Sequence, residues 1–282
     1  MSSATTSTPP RVETSPPVVA SQATGRITVE GLGVAFGDNR RRRAAVENVN
    51  LAIAPGEFVT LVGPSGCGKT TVLNAIAGFL TPSTGRVLVD GSAVQGASAQ
   101  RSVVFQQHSL FPWMTVIENI AFGPQMLGKS DAKEIARRHL AMVGLGDYAE
   151  AYPAALSGGM RQRVGLARAL AVEPPVLLMD EPFGALDALT RDLMQELLLR
   201  LWEKHRNTVV FITHDVDEAV FLSDRVIVMA TRPGRVRADI RINLPRPRTA
   251  EMRDLPEFTR LRREINQLIR EESLRNFQEA TV

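Results

Sequence analysis

This sequence predicts an α/β fold with a mostly parallel sheet, on three observations. Unbroken apolar runs at 176–179, 209–212 and 226–229 are strand-sized, and helix-patterned stretches at 188–205 and 215–222 alternate with them. Strands without a polar face must be covered on both sides, as parallel strands joined by helices are. Second, a glycine-rich turn at 63–70 lies between a β-like run, 58–62, and a helix-like run, 71–77. Third, residues from about 107 to 172 are mainly helix-patterned and interrupt the strands. They read as an inserted α-helical subdomain.

The chain has 282 residues, 44% hydrophobic and 22% charged, which is enough for a substantial core. Lys and Arg number 33 against 30 Asp and Glu, for a net charge of +3. That excess is too small to argue for a nucleic-acid partner. The one cysteine, Cys67, excludes an intrachain disulfide and suits a reducing compartment. Its place beside Lys69 and a helix start could lower its pKa, although a small loop filler is the plainer reading. No stretch has the length of a transmembrane helix, and the N-terminus lacks a secretory pattern. Any membrane action would need another chain to do the spanning.

In chain order, residues 1–24 are rich in Ser, Thr, Pro and Ala and predict a disordered tail. Strand patterns follow at 27–30 and, after a break, at 34–36; the basic run 40–43 reads as a solvated hairpin tip. A strand at 45–53 stops at Pro55-Gly56. After the glycine turn come a strand and turn at 86–91, a short strand at 102–105 ending in Gln106-Gln107, and an apolar loop at 110–114. Helices are expected at 116–122 and 131–143, the second stopped by Gly144 and Gly146. Pro245 and Pro247 mark a linker, and Phe258, Leu261, Ile265, Leu268 and Ile269 keep helical spacing. The expected division is a tail over 1–24, a main domain over 25–245, and a C-terminal linker and helix over 246–282.

The 63–70 turn reads Gly63, Pro64, Ser65, Gly66, Cys67, Gly68, Lys69, Thr70. The glycines let backbone N–H groups close around an anion such as a triphosphate, and the following helix adds its positive end. Lys69 supplies a point charge for terminal phosphates, the Thr70 hydroxyl can ligate Mg²⁺, and Thr71 can offer a further donor. Asp180 and Glu181 are adjacent at a strand exit. Their alternation lets Asp180 serve Mg²⁺ while Glu181 polarises an attacking water. Ser157, Gly158, Gly159 and Met160 open a helix that carries Arg161 and Arg163. Ser157 is a suitable N-cap, and the glycine N–H groups can face an anion. Ligands of such sheets gather at strand C-terminal ends, where the glycine turn, Gln106, Asp180, Glu181 and His214 all fall.

From about Ile27 to Arg235 the sequence resembles the ATP-binding cassette (ABC) ATPase subunit of transporters. The resemblance implies a P-loop NTPase fold with a RecA-like core, an antiparallel β subdomain and the inserted helices. It makes 63–70 the Walker A loop, 176–180 Walker B with Glu181 as base, and 156–162 the signature. Phe36 becomes the adenine-stacking aromatic. Gln106 becomes the Q-loop glutamine that senses Mg²⁺ and meets the membrane partner, Asp187 the D-loop acid, and His214 the switch histidine at the γ-phosphate. Met160 stands where many members have Gln, and Gly184 where Ser is more usual.

ATP and Mg²⁺ are the implied cofactors. A head-to-tail homodimer is implied, with Ser157 to Gly159 of one copy capping ATP held by Lys69 of the other. Implied partners are membrane permease subunits, met near Gln106 and residues 110–114, and a periplasmic or lipoprotein binding protein that acts indirectly. For Phe111 and Trp113, core packing stays open as an alternative. The strings at 111–116, 156–163, 183–187 and 229–234 are similar to the nitrate, sulfonate and taurine importer branch. A peripheral position on the cytoplasmic face of the inner membrane follows from that resemblance. Two other readings stand beside it: a soluble cassette not coupled to transport, and a P-loop kinase. The first commonly carries paired cassettes or heptad insertions, and the second has no use for the 156–163 string.

Overall fold

The computed structural model describes residues 24–37, 43–106 and 109–280. The expected tail over 1–23, most of the basic run at 40–43, and Gln107 lie outside the described residues. Among the described residues, ten strands fall into two sheets.

The four-stranded sheet has the order β2-β1-β4-β5 and is antiparallel, with β1 Ile27–Phe36, β2 Arg43–Ile53, β4 Thr84–Val89 and β5 Ser92–Ala93. The two strand pieces read at 27–30 and 34–36 are one strand. Its register against β2 shifts between Val29 and Leu32 and again before Val34, around Gly31 and Gly33. Such irregularities break the alternation of side chains without ending the strand.

The six-stranded sheet has the order β10-β9-β3-β8-β7-β6: β3 Phe58–Val62, β6 Arg101–Val104, β7 Val176–Asp180, β8 Thr208–Ile212, β9 Arg225–Ala230 and β10 Arg235–Arg241. All neighbours pair in parallel except β9 and β10. The continuous apolar runs divide their residues between two cores. Phe58, Leu177, Met179, Val209, Phe211, Val226 and Val228 face one, while Val59, Leu61, Leu178, Val210, Ile212 and Ile227 face the other. A period-2 strand buried on both faces needs apolar residues at every position, hence the absence of alternation.

One core is closed by α1 (Lys69–Ala77) and the antiparallel sheet. The other is closed by α2 (Val116–Met126), α3 (Ala132–Met142), α4 (Gly158–Leu170), α5 (Ala188–His205), α6 (Val216–Leu222) and α7 (Pro256–Ala280). Helices α2, α3 and α4 pack on one another. Thr115 caps α2, with its hydroxyl taking the Glu118 N–H and the Glu118 carboxylate taking the Thr115 N–H. Phe258, Leu261 and Ile265 of α7 are fully buried, and Arg237 of β10 lies 3.4 Å from the buried Glu272 carboxylate. The C-terminal helix therefore packs against the same core. Among the described residues no helix is long and apolar enough to cross a membrane.

Candidate functional site

Strand β3 is flanked by β8 and β9 at the middle of the parallel sheet and delivers the 63–70 loop to its C-terminal edge. Two of the glycines have no substitute. Gly63 has φ 150°, and a Cβ there would lie 2.6 Å from the Met229 carbonyl oxygen. Gly68 has φ 89°, and its Cβ would collide with Val46 of β2. The loop thus folds tightly against both sheets and leaves a cleft of about 290 Å³. Ala45, Ser65, Gly66, Gly68, Lys69, Thr70, Thr71 and Glu181 line it.

Lys69 is buried at 8% exposure, and its ammonium donates to the Gly63 carbonyl at 2.9 Å and the Pro64 carbonyl at 3.3 Å. The charge is held inside the curl of the loop, where a phosphate oxygen can replace those carbonyls. Cys67 is fully buried, 3.7 Å from Lys69 Nζ. Burial pushes its thiol up, and the Lys69 charge offsets this only in part. The lowered pKa that the sequence allowed is overturned, because desolvation outweighs the neighbouring charge.

The Thr70 hydroxyl donates to Asp180 Oδ1 at 3.3 Å, so two oxygen ligands stand side by side next to the cleft. Burial, aided by the neighbouring Glu181, raises the Asp180 carboxyl, and the Thr70 bond opposes this. A hard cation with oxygen ligands fits a half-buried carboxylate beside a hydroxyl. Glu181 has φ 43°, a left-handed backbone, and its N–H donates to the Ile212 carbonyl of β8 at 3.0 Å. Its Oε2 lies 3.4 Å from Nδ1 of His214, which follows β8. A Cβ built on Gly184 would lie 3.6 Å from Gln106 Nε2 and 3.8 Å from Glu181 Oε2, so Gln106 shares this small volume. Phe36 ends β1 with its ring half exposed and does not line the cleft; the adjacent Ala35 pairs with Ala44, the neighbour of the lining residue Ala45. Lys69, Thr70, Asp180, Glu181, His214 and Gln106 thus meet at the strand ends.

Ser157 to Met160 do not line this cleft. Ser157 caps α4 by accepting the Met160 N–H at 3.2 Å, and the Met160 side chain packs against the core. A Cβ on Gly159 would lie 2.7 Å from the Thr190 side chain, so the helix start rests on the first turn of α5. Asp187 caps α5 by accepting the Thr190 N–H at 3.0 Å, which holds its carboxyl below the usual range.

A larger cleft of about 620 Å³ runs beside the sheet, with Phe79, Phe105, Phe111, Phe122, Arg101 and Arg168 among its lining. Phe111 packs against Phe122 at 4.9 Å and Trp113 at 5.5 Å. Trp113 itself is 69% exposed, so the two rings differ: one packs, the other faces solvent.

Sequence reasoning reached Gly234 only as the end of the 229–234 string and gave it no structural role. It bridges to β2, accepting the Glu47 N–H and donating to the Ala45 carbonyl, each at 2.9 Å. A Cβ there would strike the Cys67 carbonyl and lie 2.8 Å from the Ala45 carbonyl, so Gly234 backs the phosphate loop. No local signal beyond Pro233-Gly234 could have found it.

Comparison with known proteins agrees with this geometry. The pattern of the ABC transporter family matches residues 46–184. The chain is 49% identical over 253 residues to an uncharacterized ABC transporter ATP-binding protein of Methanocaldococcus jannaschii, covering 89% of this chain and 94% of the relative. It is 46% identical over 252 residues to the nitrate import ATP-binding protein NrtD of Synechocystis, covering 86% and 95%. It is 47% identical over 247 residues to the taurine import ATP-binding protein TauB of Pseudomonas aeruginosa, covering 85% and 94%. Among solved structures, a dimeric ATP-binding cassette in a post-hydrolysis state with ADP and Pi superposes with TM-score 0.67 at 32% identity, covering 78% of this chain and all of that one. The chain belongs to the ABC transporter family, as one of its ATP-hydrolysing cassettes.

Proposed function

We propose that the chain is the energy-coupling ATPase of an importer for a small anion: an aliphatic sulfonate, taurine or nitrate. The meeting of Lys69, Thr70, Asp180, Glu181, His214 and Gln106 at the strand ends supports the hydrolytic part. Phe36 stacks on adenine. Loop N–H groups from Gly63 to Thr70, with Thr71, wrap the phosphates, and Lys69 turns its ammonium from the loop carbonyls to the terminal phosphates. Thr70, Asp180 and Gln106 would hold Mg²⁺, which would supply positive charge against the phosphates. Glu181 accepts a proton from the attacking water, while His214 holds the γ-phosphate and orients the Glu181 carboxylate.

Ser157, Gly158, Gly159 and Met160 stand outside their own chain's cleft, which fits a role at the cleft of a second copy. The reading is a homodimer closed by ATP, with Asp187 at the junction. The neighbouring cassette was solved as a dimer with ADP and Pi. The apolar cleft around Phe79, Phe105 and Phe111, close in sequence to Gln106, is a seat for permease subunits, with Trp113 exposed at residues 110–114. Gln106, between the nucleotide site and this seat, would couple the two. An external binding protein delivers the substrate, and the cassette sits on the cytoplasmic face of the inner membrane.

The relatives named for nitrate and taurine import support the substrate class. Co-purification from membranes, followed by transport and ATPase assays over sulfonates, taurine and nitrate, tests it. Stimulation by one of these anions with its binding protein is expected. Recovery from the soluble fraction alone, with no permease, would favour the uncoupled soluble cassette. The shared site is tested by mixing Lys69→Ala and Ser157→Ala chains. Half of the sites in hybrid dimers are then intact, so activity above either variant is expected.

A further inference from the structure

Arg191 lies in the second turn of α5, outside every motif read from the sequence. Its guanidinium touches both loops that carry the reacting groups. Nη2 donates to the Leu186 carbonyl at 2.9 Å and Nε to the Phe183 carbonyl at 3.4 Å, both in the turn that follows Glu181. Nη1 lies 3.8 Å from Asp215 Oδ2, the residue after His214. The other Asp215 oxygen accepts the Asp217 and Glu218 N–H groups at 2.9 and 3.2 Å and so caps α6. One planar, three-way cation therefore spans from the Glu181 turn to the His214 turn. A lysine could not reproduce that fork. The 3.4 Å approach of His214 to Glu181 depends on the relative position of these two turns.

We infer that Arg191 is a positioning residue for hydrolysis, acting as a clamp that sets the distance between His214 and Glu181. The inference rests on the roles proposed for those two residues. The clamp acts on catalytic geometry and not on the nucleotide cleft, whose lining does not include it.

The full chain is tested by steady-state ATPase assay of Arg191→Gln, Arg191→Lys and Arg191→Ala, with thermal melting alongside. We expect kcat to fall at least tenfold in Arg191→Gln and Arg191→Lys while KM for ATP stays within threefold. Millimolar guanidinium, at fixed ionic strength, should restore part of kcat in Arg191→Ala and leave the wild type unchanged. A kcat within twofold of wild type in all three variants would overturn the clamp. So would a loss that tracks the fall in melting temperature and shows no guanidinium rescue. Glu181→Gln, run in parallel, separates the two levels. If it turns over normally, the catalytic assignment itself is wrong. If it is inactive while the Arg191 variants are fully active, only the clamp is wrong.

Discussion

His214 Nδ1 lies 3.4 Å from Glu181 Oε2, although 33 positions separate the two residues in the chain. Each follows a different strand, β8 and β7, and those strands are neighbours in register, with Asp180 opposite Ile212. Adjacent parallel strands end together, so this pair is a product of the sheet. Glu181→Gln keeps shape and removes the proton acceptor. We expect at least about 10²-fold lower phosphate release with ATP binding retained. Size exclusion in ATP should then show an accumulated dimer; only monomer would count against the shared site.

Lys69 is held by two loop carbonyls at 2.9 and 3.3 Å. Lys69→Ala removes both bonds and the phosphate charge. Binding of a fluorescent ATP analogue should weaken by at least about tenfold, on the scale of a charge-assisted contact. The ligand-free protein should lose about 1 kcal/mol, read from urea melts.

Gly234 faces the Cys67 and Ala45 carbonyls, backbone that cannot rotate away, and the Val46 side chain. The Ala45 carbonyl would lie 2.8 Å from a new Cβ and Val46 Cγ1 2.9 Å. Gly234→Ala should destabilise by about 1–3 kcal/mol. It should also raise KM for ATP more than it lowers kcat, because the loop it backs binds phosphate. A normal KM would show that the loop tolerates the shift.

His139 of α3 and His205 at the end of α5 stack at 6.4 Å, and Nε2 of each is buried without a partner. Burial holds both imidazoles below their ordinary value of 6.5. Arg138 and Lys129 add to this at His139, His139 and Lys204 at His205, and Glu173 opposes it at both. A depressed base binds fewer protons folded than unfolded. Stability therefore rises with pH between the folded value and 6.5, and falls as pH drops below 6.5. Melting at about pH 7.5 and about pH 5.5 should show this loss, smaller in His139→Gln than in wild type.

Much of the architecture was legible because the parallel strands are apolar at every position, a pattern that a strand with one solvated face does not produce. Helix α5 was readable to the residue, at 188–205. The failures have local causes. Strand β10, Arg235–Arg241, pairs only with β9 and is mostly exposed, so its charges mask any strand pattern. Helix α2 runs on to Met126, beyond the expected end at 122, with Pro124 buried inside it. The candidate site was legible where a residue follows a strand, as Lys69, Asp180, Glu181 and His214 do. Arg191 was not, because on a helix it looks like any solvated cation until Leu186 and Asp215 are seen beside it.

Glu181 holds a backbone angle, φ 43°, that glycine adopts without penalty and that disfavours a longer side chain by roughly 1 kcal/mol. The most stable sequence for this fold is then not the working one. Variants chosen for thermal resistance alone would drift to glycine or asparagine at 181. Only selection for turnover would keep glutamate there, so the frequency of each residue in such a library measures which demand was imposed.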